Sequence, residues 1–140
     1  MREKKTERSR PFEKKLPKKR EMPRFPRISE EMRQWAAMLE QELSGWPQVR
    51  AKPMFGMKGF FRRKKVFAVL PVSRGLMSPS SILIRSVPFS PELLAHAKKE
   101  PRISAGRSLE KTKWISFELS SEADLRDALW WLNQAYERAK

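Results

Sequence analysis

Residues 54–70 read Met-Phe-Gly-Met-Lys-Gly-Phe-Phe-Arg-Arg-Lys-Lys-Val-Phe-Ala-Val-Leu, and no other stretch restricts the fold as strongly. Residues 66–70 are five consecutive apolar side chains, long enough for a buried strand and too short for a helix of their own. An aromatic pair, Phe60 and Phe61, precedes them, and Arg63 and Lys64 break the apolar pattern in between. This predicts two antiparallel strands, about 60–62 and 65–70, joined at Arg63 and Lys64. Gly56 and Gly59 allow φ > 0 or close backbone approach, so a tight loop is expected just before the hairpin. A hairpin this apolar needs cover from other elements.

The flanking sequence supplies it. Ser29 is a suitable N-cap, with Glu30 and Glu31 in the first turn where the helix dipole favours them. Met32, Trp35, Ala36, Leu39 and Leu43 then form one apolar stripe, and Gly45 and Pro47 end the helix, predicting 30–44. Residues 49–54 read as a strand leading into the hairpin, 71–80 as a loop, and 81–85 (Ser-Ile-Leu-Ile-Arg) as a further strand. Ser90-Pro91-Glu92 opens a short helix to about Lys99, and residues 101–112 read as a loop. Residues 113–119 alternate, with Ile115, Phe117 and Leu119 on one face and Trp114, Ser116 and Glu118 on the other. Ser120 or Ser121 is expected to cap a last helix whose inward stripe is Leu125, Ala128, Leu129, Leu132, Ala135, Tyr136 and Ala139. The expectation is a single α+β domain over 29–140, a largely antiparallel sheet of about five strands covered by three helices.

Residues 1–28 differ in kind. They hold 12 Lys/Arg against 4 Glu, with prolines at 11, 17, 23 and 26 and few large apolar side chains. No periodicity survives those prolines, so the segment reads as a disordered basic arm. Its functional reading is an electrostatic tether to nucleic acid; its plain reading is a solubilising tail. The whole chain carries a net +15, and over half of that charge, +8, lies in the arm. Such a balance favours polyanionic partners. The chain has no cysteine, which excludes disulfides, thiolate metal sites and a cysteine nucleophile. No apolar run approaches the roughly 20 residues of a membrane span, nor is there the apolar core of a secretory signal, so a cytoplasmic protein is expected.

Two segments resemble known families. Val49-Arg50-Ala51-Lys52-Pro53-Met54-Phe55-Gly56, then Gly59-Phe60 and Val66-Phe67-Ala68-Val69-Leu70, is similar to the amino-terminal domain of TfoX, where a Met-Phe-Gly turn precedes a Gly-aromatic hairpin. Lys113-Trp114-Ile115-Ser116-Phe117, followed by the helix from Leu125 to Tyr136, resembles MmcQ/YjbR-like domains. The resemblance implies a small α+β fold over about 30–139 and carries no catalytic residues. For the YjbR branch it implies DNA binding only by analogy of fold.

His96 is the one histidine, and a single imidazole on a helix is far more often packed or solvated than a ligand or base. Metal-ligand spacing and a phosphate loop are absent from the sequence, and the serines lack a neighbouring base. A non-enzymatic protein without cofactor or metal is expected.

The positive signals are two. Lys58, Arg62, Arg63, Lys64 and Lys65 fall within eight residues, and Arg74 follows; residues 51–75 contain seven basic side chains and no acid. At a hairpin tip these would meet the phosphates of DNA or RNA without reading bases. Phe60 and Phe61 alternate in facing, so one of them is placed near those charges, where single strands stack. The alternative is a solvated turn whose charges guard an aggregation-prone strand. The second signal is Trp130, opposite the stripe of the last helix, with Trp131 on its flank. Either residues 45–49 or the segment before Ser29 would cover Trp130, or Trp130 and Trp131 would anchor a protein partner or homodimer.

Overall fold

The computed structural model describes residues 25–75, 78–105, 109 and 111–140. The disordered-arm reading therefore lies outside the described residues up to residue 24. Residues 25–28, counted with the arm, belong to the fold. Arg27 bridges Arg74, the Ile28 N–H donates to the Ser73 carbonyl, and Phe25 packs against the sheet.

Helix α1 spans Glu30–Ser44, as its stripe and caps predict. Ser29 Oγ accepts the Met32 N–H at 3.0 Å, and Met32, Ala36, Leu39 and Leu43 are buried. Strands β1 (Val49–Met54), β2 (Met57–Arg62), β3 (Lys65–Pro71) and β4 (Ser81–Arg85) follow. Then come α2 (Pro91–Lys98), β5 (Ile103–Ser104), β6 (Trp114–Glu118) and α3 (Asp124–Arg138). The sheet order is β1-β2-β3-β4-β6-β5, antiparallel at every pairing. The sixth strand, β5, lies in the segment expected to be a loop. Two residues at a sheet edge are too few to show alternation, and only pairing with β6 reveals them.

Phe55 and Gly56, at φ 46° and 82°, form the two-residue turn between β1 and β2. Both angles are positive, as a type I′ hairpin requires. Gly56 is the residue that turn favours, and a Cβ there would meet Arg74 Cγ at 2.8 Å. Phe55 is the opposite case, an exposed aromatic held where bulky side chains are strained. Phe55→Asn, creating Asn-Gly, is expected to raise the unfolding free energy by about 0.5–1 kcal/mol, read from urea midpoints.

The two faces of the sheet differ. One packs on all three helices around Phe60, Phe67, Ile84, Ile115 and Phe117. The other carries a small cluster of Met57, Val69 and Leu83, joined by Phe25, Met54 and Trp114 but by no helix. A bulge at Phe60/Phe61 divides the residues between them. Phe60 opposes Ala68 and Phe61 opposes Val66, so Phe67 is the extra residue. Phe67 and Ala68 thereby both enter the main core, and Val66 shares the helix-free side with Phe61.

The start of α3 is fixed differently from the expected serine cap. Asp124 Oδ2 accepts the N–H groups of Ser120 at 2.7 Å and Ser121 at 3.1 Å, and no side chain caps the helix from Ala123. Arg102 ties that end to the β5 loop through Glu100 (2.7 Å), Asp124 (2.9 Å) and Asp127 (2.8 Å), its guanidinium lying 4.9 Å from the Phe117 ring. Hydrogen bonding to Arg102 holds the Glu100 carboxyl below its ordinary value, and the Ser120 N–H does the same for Asp124. Depressed carboxyl pKa values contribute stability above the unfolded-state pKa, and it is lost as pH falls through the folded value. Arg102→Met should cost about 1–3 kcal/mol at about pH 7 and progressively less toward about pH 3, measured by urea unfolding.

Candidate nucleic-acid interface

The turn between β2 and β3 exposes Arg63, Lys64 and Lys65. Arg63 sits at φ 58° and is pinned by its N–H to the Gln48 carbonyl at 3.0 Å, which fixes the direction of the tip. The tip reaches the end of β4 and the last turn of α3. Between them lies a cavity of about 460 Å³ lined by Lys64, Lys65, Arg85 and Arg138, with Val87 and Pro88 beside them. Among the described residues, the lining contains no carboxylate and none of the four cations forms an ion pair. Arg138 is held by Gln134, donating to its carbonyl and its Oε1 at 3.1 Å each. Arg85 lies 5.4 Å from the Trp114 ring. Four cations from three elements thus converge on one opening, two of them fixed in direction.

Three residues expected at this interface are engaged elsewhere. Lys58 Nζ pairs with Glu40 of α1 at 2.5 Å. Arg62 turns inward, its guanidinium 4.3 Å from the Tyr136 ring and its Nη1 donating to the Tyr136 carbonyl at 3.0 Å. Its Nε is buried with no partner among the described residues. Arg74 Nη1 donates to the Phe25 carbonyl at 3.0 Å and so ties down the segment before α1. These partners are 18, 74 and 49 residues away, so the basic run alone could not sort the committed cations from the free ones. The same distance hid Arg85 and Arg138. Each reads as an ordinary residue at the end of an element, and only the sheet order brings them beside Lys64.

Phe60 is fully buried, and Phe61 is the aromatic on the helix-free face, with Lys52 Nζ 5.3 Å from its ring centroid. Trp131 is 2% exposed and packs against Phe89 and His96 at 6.2 and 5.2 Å, so it presents no surface. The buried stripe of α3 runs through Leu125, Ala128, Leu132, Ala135 and Tyr136 as expected, but Leu129 is only partly buried and Trp131, expected on the flank, joins the stripe. Trp130 is 46% exposed, with His96 at 5.5 Å. Among the described residues neither proposed cover reaches it: Trp46 packs with Tyr136 at 5.0 Å, and Phe25 belongs to the helix-free face.

Among the described residues, no cluster of His, Cys, Asp or Glu could hold a metal ion, and no helix is long and apolar enough to cross a membrane. Comparison with protein-family models, curated proteins and solved structures finds no match to this chain.

Proposed function

We propose that this protein is a non-enzymatic, cytoplasmic nucleic-acid-binding module that grips the phosphate backbone. The observation that carries the reading is the convergence of Lys64, Lys65, Arg85 and Arg138 on one opening with no carboxylate among its described lining residues. Charges of one sign facing one cavity repel each other, and a polyanion relieves that repulsion. Arg63 at the tip and the 12 Lys/Arg of residues 1–28 extend the positive field, and phosphate contacts of this kind position a chain without reading its sequence. The resemblance to TfoX amino-terminal and YjbR-like domains is compatible with such a role, and the two would share the fold.

Fluorescence anisotropy of labelled DNA and RNA, titrated with the full-length protein across a salt series, tests the proposal. The expected result is binding whose log K falls linearly with log salt. Failure to bind either polymer at about 50 mM salt would overturn it. Trp130, half-exposed beside His96, favours a second reading as a contact for another protein or a second copy. Under that reading Trp130→Ala abolishes an association that the Lys64 and Lys65 variants leave intact.

A further inference from the structure

We infer that the helix-free face of the sheet receives unpaired nucleobases, so that the ligand is single-stranded nucleic acid. This deepens the phosphate-binding proposal and rests on it. The face holds a trough of about 460 Å³, a volume typical of sites for small organic groups. Its floor follows from register: Val69, Leu83 and Ser116, which line it, lie in one row across three strands, and Gly59 continues that row on β2. Gly59 contributes no side chain to that row. A Cβ there would stand 2.7 Å from Met54 Cε and 3.4 Å from the Phe61 ring, so Gly59 makes room for the Met54 side chain, which lies over it and lines the trough beside Phe61. Phe61 and Trp114 line the trough from β2 and β6.

Each of those rings has a cation against it, Lys52 at 5.3 Å from Phe61 and Arg85 at 5.4 Å from Trp114. Arg50 is paired with Phe61 across β1 and β2 and shares its face. Among the described residues, no acidic side chain lines the trough. Val66 lines both the trough and the four-cation cavity, and Arg85 reaches from the Trp114 ring to that cavity, so the two openings adjoin. The chain also enters the fold here, at Phe25, directly after 24 residues holding 11 Lys/Arg and 4 Glu. An apolar peptide or a second copy of this basic protein would bring no charge to match that rim. A strand of nucleic acid offers what the surface lacks, flat rings for the trough and phosphates for its margin. Base pairing buries those rings in a stack, so a duplex reaches only the cations.

The test compares single strands of about 20 nucleotides, DNA and RNA, with the matching duplex at equal salt, using full-length protein. Single strands should bind at least about tenfold tighter. Phe61→Ala/Trp114→Ala should weaken single-strand binding about 5- to 100-fold, leaving duplex affinity and the salt slope unchanged. Phe61→Leu, which keeps the apolar bulk and removes the stacking ring, covers the case in which the double variant does not fold; it should lower single-strand affinity alone. Equal affinity for both polymers, or a preference that survives these substitutions, overturns the inference. The phosphate-binding proposal then still stands if Lys64→Glu/Lys65→Glu weakens both polymers. Binding of neither polymer overturns both. A dimer in sedimentation equilibrium that Phe61→Leu dissociates assigns the face to a second copy and also overturns the inference.

Discussion

Lys64→Glu/Lys65→Glu is expected to lower the affinity for nucleic acid at least about 100-fold at about 50 mM salt, with little change in thermal stability. The reasoning starts from exposure. Both side chains project from a two-residue turn and its first strand position, and neither is bonded to another described residue. Losing them therefore removes no internal contact, and stability changes at such surface positions are typically within about 0.5 kcal/mol. Their reversal converts a cavity margin of four cations into two cations and two carboxylates. Two phosphate contacts disappear and two repulsions replace them beside Arg85 and Arg138. Loss of affinity with an unchanged melting temperature would locate the contact at this tip. Arg62→Glu provides the contrast. That guanidinium is committed to Tyr136, so its replacement should lower the melting temperature as well.

The largest stability effect is expected for Trp131→Ala, about 3–5 kcal/mol, a substantial part of the stability of a domain this size. Trp131 is 2% exposed and stands where α3 meets α2, stacked near Phe89 and His96 and edge-on to Trp130 at 4.9 Å. Truncation leaves a cavity that two helices and the Phe89 segment cannot close without losing other contacts. Trp130→Ala, one residue along, should cost about 1 kcal/mol or less because half of that ring is already in water. Chemical denaturation of both variants separates the two residues. Equal costs would mean that the faces of α3 are assigned wrongly.

These adjacent tryptophans show where the sequence was legible and where it was not. Short-range signals read well. Ser29, the stripe from Met32 to Leu43 and Gly45 delimit α1 at Glu30–Ser44, and Ser90 with Pro91 starts α2. The alternation of Ile115 and Phe117 against Trp114 and Ser116 assigns the faces of β6 correctly. Each of those features is decided within a few residues of chain. What escaped depends on partners far away. Trp131 is buried by Phe89 and by His96 of α2, 42 and 35 residues earlier in the chain. Strand β5 exists through β6, and the capping of α3 falls to Asp124 with Arg102 behind it. At the interface, Arg63, Lys64 and Lys65 are visible as a basic run, whereas Arg85 and Arg138 join them only through the order of strands in the sheet. Phe61 was one of two candidates for the outer face, and the bulge together with the burial of Phe60 selects it.

The most direct test of the central claim is the salt dependence of single-strand binding by the full-length protein and by Lys64→Gln/Lys65→Gln. Neutral substitution removes two cations without adding repulsion, so each lost phosphate contact should appear as a lower slope. With about 0.7 per contact for single strands, the slope of log K against log salt should become shallower by about 1.4, with affinity falling in parallel. An unchanged slope with unchanged affinity would mean that the basic residues before Phe25 carry the binding alone. It would contradict the assignment of the Lys64, Lys65, Arg85 and Arg138 cavity as the phosphate site.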